Sequence, residues 1–245
     1  MTPSRKTLAA RAAVTTEAGP DGSTRLTVLR SDGPIALRAT PAGVFLVGAA
    51  AGPVGGDDLG LDIEVGPGTT LVLRSAAGAL LLPGPHGGTS TLRIRARVGA
   101  GARLDYCPQP AVAAAGCDHY ATAAVELHPD STLRWREVIV LGRHGELAGR
   151  CVSRLDVTMA GVPLYRGEIT VGRPDTDGSS AVLDGARAVG SVLLADAARA
   201  QPAPVAQDGL AILPLAAPGT AICAVAADAA RLASRLDCGE RIAGY

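Results

Sequence analysis

From Thr24 onward, apolar and polar residues alternate along the chain. Arg25-Leu26-Thr27-Val28-Leu29-Arg30 is followed by Ser31-Asp32-Gly33-Pro34 and then Ile35-Ala36-Leu37-Arg38, which predicts two strands joined as a hairpin through an Asp-Gly-Pro turn. The same period of two recurs over residues 59–65, 70–73, 91–98, 103–106, 122–127, 132–141, 152–159 and 163–171, with glycine or proline between the runs. Beyond a polar loop at 173–178, residues 181–186 and 190–195 read as further strands. Only near the end does the period change. There Asp228-Ala229-Ala230-Arg231-Leu232-Ala233-Ser234-Arg235-Leu236 gathers apolar groups on one helical face, with Asp228 as N-cap and Gly239 as stop, so one short helix over about 228–237 is expected. The expected fold is all-β, mainly β with a few short helices, in a single domain over 1–245 with its core at about 24–200.

Three segments share a scheme. Val65-Gly66-Pro67-Gly68-Thr69-Thr70-Leu71 is echoed by Val98-Gly99-Ala100-Gly101-Ala102-Arg103-Leu104 and by Leu127-His128-Pro129-Asp130-Ser131-Thr132-Leu133, with starts 33 and then 29 residues apart. In each, a strand ends, a short turn displaces the chain, and a new strand begins with an inward leucine. A stacked-strand, β-helix-like body satisfies this pattern and so does a β-sandwich, because ordinary hairpins carry the same turn signals.

Composition narrows the class. With 47% hydrophobic and 19% charged residues in 245, the chain can bury a substantial core and is not disordered. The 23 basic side chains balance 23 acidic ones and form no basic block, which excludes the electrostatic footprint of nucleic-acid binding. One Phe, one Trp and four Tyr are too few to build stacking platforms for bases or sugars. The longest apolar run, 44–51, falls far short of the roughly 20 residues of a membrane-spanning helix. Residues 1–14 carry positive charge but no continuous apolar segment, so no secretory signal is read and a cytoplasmic location is expected. Five widely spaced cysteines, Cys107, Cys117, Cys151, Cys223 and Cys238, fit reduced, buried thiols better than a disulfide framework.

The candidate chemistry is sparse. His86, His119, His128 and His144 show no zinc-type spacing, and Cys117-Asp118-His119 is the one close Cys/His pair. That pair offers a thiol and an imidazole to a soft metal or to a cysteine hydrolase, against the simpler reading of a loop cysteine beside a solvated histidine. No Gly-x-Ser-x-Gly occurs, and Gly52-Pro53-Val54-Gly55-Gly56-Asp57-Asp58 lacks the Lys-Ser/Thr end of a phosphate loop. What remains are carboxylates: Asp57, Asp58, Asp62 and Glu64 by the glycine loop, Glu137 after Trp135, and Glu168. Glu137 and Glu168 interrupt apolar stretches, so each must face water, a partner or an internal polar channel.

Read in order, Gly52-Pro53-Val54-Gly55-Gly56-Asp57-Asp58-Leu59-Gly60-Leu61-Asp62, then Val65 to Leu73, Leu104-Asp105-Tyr106-Cys107-Pro108-Gln109-Pro110, and Trp135-Arg136-Glu137 with Leu141-Gly142-Arg143, resemble the UreD family of urease accessory proteins, also called UreH, over about 25–172. Arg74-Ser75-Ala76-Ala77-Gly78-Ala79-Leu80-Leu81 departs from the family's Thr-Thr-Gln-Ala-Ala-Thr-Lys stretch, and the segment after Pro110 is unusually alanine-rich, as in a divergent member. The resemblance implies a mainly β protein without catalysis of its own. It implies binding to UreF, through UreF to the GTPase UreG, and docking onto apo-urease so that nickel is installed there. It also implies a polar interior, which points to Asp57, Glu137 and Glu168 lining a passage for transient nickel, with no tightly bound cofactor. Two other functions compete. One is a hydrolase or transferase using Cys117 and His119, which requires a lowered Cys117 pKa; the other is a β-sandwich module for a small ligand. The apolar, alanine-rich segment 209–245 is expected either to form part of the UreF-facing surface or to pack as ordinary core.

Overall fold

In the computed structural model, which describes residues 7–245, the alternating runs wind as coils. The first part of the chain forms β1 (Ala9–Ala18), β2 (Thr24–Arg30), β3 (Ile35–Thr40), β4 (Gly43–Gly48), β5 (Asp58–Val65), β6 (Thr70–Ser75), β7 (Ala79–Leu81), β8 (Ser90–Val98) and β9 (Arg103–Cys107). It continues through β10 (Ala111–Ala113), β11 (Asp118–Leu127), β12 (Thr132–Leu141), β13 (Arg150–Met159), β14 (Val162–Val171), a single helical turn α1 (Pro174–Asp177), β15 (Ala188–Ala195), β16 (Val205–Gln207), β17 (Leu210–Pro214), β18 (Thr220–Ala226) and α2 (Ala229–Ile242). Strands hold 54% of the residues in a β-solenoid of about 4 turns. The first sheet stacks β1, β5, β8, β11 and β13 in parallel, with β2 and β14 antiparallel at its ends. The second stacks β4, β6, β9 and β12 in parallel and continues antiparallel through β15, β18, β17 and β16.

The three similar segments are the corners between the two sheets. Val65, Val98 and Leu127 stand in one register row, and Leu71, Leu104 and Leu133 in another, all inward and buried. Each corner hydrogen-bonds to the one before it: Gly99 N donates to Val65 O (2.8 Å), His128 N to Val98 O (3.0 Å), Arg103 N to Thr69 O (2.8 Å) and Thr132 N to Ala102 O (2.9 Å). The repeat is thus structural, because a coil buries its apolar face only against its neighbours. Gly99 is required by this stacking, since a Cβ there would lie 2.9 Å from Pro67 N of the coil beneath. A core of valine, leucine, isoleucine and alanine fills the space between the sheets. A second cluster lies outside the second sheet, where Leu232 and Leu236 of α2 pack on Val192, Ile212 and Ile222.

Four expectations are corrected. Asp32 and Ile35 exchange backbone hydrogen bonds around Gly33-Pro34, but the strands then part: β2 pairs with β1 in the first sheet and β3 with β4 in the second, so this turn is a corner and not a hairpin. Strand β1, rich in alanine and with weak alternation, precedes the region expected to hold the core. Residues 181–186 form turns, with Val182, Leu183 and Asp184 N all donating to Ser179 O and with positive φ at Asp184 and Gly185, a backbone that no strand accommodates. Asp228 caps α2 as expected, accepting from Arg231 N, but the helix runs through Gly239 to Ile242. Gly239 lies inside it because a Cβ there would meet Ile222 Cγ2 at 2.6 Å: it serves close packing, not chain reversal. The segment 209–245 divides accordingly, its strands and the inner side of α2 being core and Leu213 and Ile242 remaining exposed.

Candidate functional site: a polar row inside the solenoid

Inward positions of the first sheet are apolar near the corners and become polar toward the opposite edge of the coil. Ser90, His119 and Cys151 share one inward register row on β8, β11 and β13, and all three are buried. Ser90 Oγ and His119 Nδ1 lie 2.8 Å apart. Burial drives the His119 pKa down to about 4, so the imidazole is neutral. One strand earlier, Asp57 is buried and its backbone carbonyl accepts from Thr91 N. Its carboxylate accepts from Leu8 N (3.1 Å) and Val54 N (3.0 Å), fastening the Gly52–Gly56 loop to the start of the first coil. Asp57, just before β5, and Ser90, His119 and Cys151 on β8, β11 and β13 therefore form a polar row along the solenoid axis.

Glu137 stands across from this row on β12, at an inward position between Trp135 and Ile139. Trp135 Nε1 donates to its Oε1 (2.9 Å) and Ser153 Oγ to its Oε2 (3.0 Å). Trp135 itself is stacked on Tyr106 with centroids 4.0 Å apart. Burial raises the Glu137 pKa above the ordinary carboxylate range, and the bonds from Trp135 and Ser153 offset this only in part. Glu137 is half-buried. Burial likewise pushes Tyr165 to about 12 and Cys151 to about 12, and the nearby Glu137 charge adds to both shifts.

Asp57 is buried and Glu137 half-buried on the inward side of β12, whereas the third acid named in the sequence lies elsewhere. Glu168 lies on the exposed outer face of β14, opposite Arg154 in register, and accepts from Thr170 Oγ1 (3.1 Å), because its position in the alternation puts it on the face away from the core. The three acids are not brought together, and among the described residues no group of three or more His, Cys, Asp and Glu could hold a metal ion. The cysteine-hydrolase reading fails on the thiol. Cys117 is buried, and burial raises its pKa to about 11, opposite to the shift an activated nucleophile needs; its Sγ faces Arg150 O at 3.7 Å, and His119 turns to Ser90 instead. His119 is not a solvated histidine either. Two clefts, of about 500 Å³ and 430 Å³, are open surface features and not the enclosed pocket that the small-ligand reading calls for.

Sequence reasoning missed a charged cluster on the outer face of the second sheet. Arg134 bridges Asp105 (3.0 Å) and Glu240 of α2 (2.6 Å), Arg74 binds Asp105 (2.7 Å), and Arg136 binds Asp237 (2.6 Å). Burial works to raise the Asp105 pKa, but Arg74 and Arg134 outweigh it and hold the carboxyl below the ordinary range. Arg103 donates to the Tyr245 hydroxyl (2.5 Å), and Arg103, Arg134 and Arg199 surround the Tyr245 ring. Asp105 and Arg136 fall within the family-like strings, and that recurrence was the one signal for them in the sequence.

The class the fold defines is a coiled β scaffold with a row of polar side chains along its interior. The model of the family described as "UreD urease accessory protein" matches residues 9–238. The chain is similar to the urease accessory protein UreD of Parafrankia sp. strain EAN1pec, 44% identical and covering 96% of this chain and 89% of that protein. It is also similar to UreD of Frankia casuarinae (41%, covering 96% and 89%) and to UreD 3 of Streptomyces griseus (40%, covering 94% and 95%). This chain belongs to the UreD family of urease accessory proteins. It is a non-catalytic chaperone of urease nickel-centre assembly, and its partners are those of the urease maturation complex. No helix among the described residues is long and apolar enough to cross a membrane.

Proposed function

We propose that the chain acts as one UreD-like unit that carries nickel to apo-urease through its own interior, while UreF-like and UreG-like proteins supply the ion. The observation that carries this reading is the axial row of Asp57, Ser90, His119 and Cys151, with Ser153 on the same sheet bonded across the interior to Glu137. Nickel is cargo here, not a resident cofactor. Single oxygen and nitrogen donors, spaced along a path and never closing into a cage, suit brief contact and onward transfer. Glu137 is the leading interior contact, with Asp57 at the first coil. Glu168, on the outer face, stands outside the path and serves as a surface control. We place this activity in the cytoplasm, where reduced thiols are stable.

Co-expression with the UreF-like and UreG-like proteins and apo-urease tests the reading. Glu137→Gln keeps the shape and an acceptor for Trp135 but removes the charge. The expected result is an intact complex whose urease holds several-fold less nickel, with Glu168→Gln near wild type. Full nickel loading by the Glu137→Gln protein would remove the interior path.

A further inference from the structure

Glu137 is held by neutral donors. Trp135 and Glu137 lie two residues apart on β12 and so project to the same side, where Trp135 Nε1 donates to Oε1 of the carboxylate (2.9 Å). Ser153 of β13 reaches across from the other sheet and donates to Oε2 (3.0 Å), so each oxygen is fixed from a different sheet. The indole is itself anchored: it is 1% exposed and stacked on Tyr106, with centroids 4.0 Å and planes 19° apart. The contrast with the outer side of the same sheet is sharp. There Asp105 is paired with Arg74 and Arg134, and Glu240 of α2 with Arg134. Among the described residues no cationic side chain pairs with Glu137. A carboxylate accepts at up to about four positions, so the two bonds leave each oxygen room for a further partner and leave the charge unmatched.

We infer that Trp135 and Ser153 are positioning residues for the passage of nickel past Glu137: they fix the direction of its carboxylate without neutralising it. This rests on the interior path proposed above. A glutamate side chain left to itself spreads over several rotamers. Bonds from two sheets hold this one in place, so an arriving ion meets an oxygen that is already aimed. The neutrality of the donors matters as much as their placement. A guanidinium where the indole stands would cancel the charge, as Arg74 and Arg134 do for Asp105, and leave nothing for a cation to match. A neutral hydrogen bond to each oxygen orients the anion and draws off only part of its basicity, which suits brief contact and release. Tyr106 acts one step further out, since its ring sets the plane of the indole.

The test uses the full chain with the UreF-like and UreG-like proteins and apo-urease, and measures the nickel bound per urease at equal yield of complex. Trp135→Phe removes the N–H but keeps a ring against Tyr106, and Ser153→Ala removes the hydroxyl. Each should lower nickel loading several-fold, by no more than Glu137→Gln does, while Ser153→Thr, which keeps a hydroxyl, stays close to wild type. The separating measurement is Trp135→Phe combined with Glu137→Gln. It should load no less nickel than Glu137→Gln alone, because a neutral amide has no charge left to direct, and thermal melts confirm that each variant is folded. The same fractional loss from Trp135→Phe in both backgrounds would overturn the inference and make the indole a packing group only. So would normal loading by Trp135→Phe and Ser153→Ala. Normal loading by Glu137→Gln removes the interior path itself, and that result is distinct from a failure of the two donors.

Discussion

His119 shows how burial turns one side chain into a pH-dependent contribution to stability. The folded chain holds its pKa near 4, whereas an unfolded histidine takes up its proton near 6.5. The stability tied to the neutral ring is therefore complete above pH 6.5 and drains away as pH falls toward 4, because the unfolded state binds the proton first. At pH 5 the loss amounts to about 2 kcal/mol. Glu137 acts with the opposite sign: burial raises its pKa, so the folded state takes up that proton first and acidification from neutral pH favours folding through it. His119→Gln separates the two. Urea unfolding at pH 7 and pH 5 should show a fall in stability that is about 2 kcal/mol smaller in the variant than in wild type; equal falls would refute the assignment. The sequence brought Cys117 and His119 to notice as neighbours, but not their roles. Those depend on which strands flank β11, since His119 meets Ser90 of β8 and stands beside Cys151 of β13 only after three coils have stacked.

At the scale of the element, α2 shows what a local pattern can and cannot say. The apolar stripe and the Asp228 cap were legible because both depend on residues three or four apart. Its true end was not, because Gly239 answers to Ile222 and not to its own helix. Nor was its charged attachment, which joins Arg134 to Glu240 across 106 positions. Glu240 is 6% exposed and pairs with Arg134 while lying 3.6 Å from Arg136, so its removal leaves Arg134 with Asp105 and Arg136 with Asp237 as their remaining acids beneath the helix. Glu240→Ala should cost about 1–3 kcal/mol, the loss of charge-assisted hydrogen bonds to Arg134, which keeps Asp105 as its other acid. Hydrogen exchange should quicken in α2 and β18 before the corners of the coils respond. A cost below about 1 kcal/mol would mean that the apolar contacts of Leu232 and Leu236 hold the helix unaided.

Across the whole molecule, stability is shared between neighbours. The alternation and the corner motif made the β class legible, and the inward leucine of each motif is the residue that the coils stack. The choice between a solenoid and a sandwich was not legible, since it depends on whether successive strands pair with each other or with the strand one coil away, and both arrangements bury the same alternating face. Leu104 tests the consequence. It is fully buried and lies between Leu71 below and Leu133 above, so it belongs to three coils at once. Leu104→Ala should cost about 2–5 kcal/mol through the cavity it opens, whereas Leu213→Ala, at a residue 46% exposed, should stay within about 0.5 kcal/mol. In a solenoid the cavity loosens the coils on both sides, so amides of β6 and β12 should lose protection together, in the stacking order and not the sequence order. If protection were lost in β9 alone, each coil would be stable by itself. The row of Ser90, His119 and Cys151, which exists only because three coils hold register, would then survive damage to its neighbours.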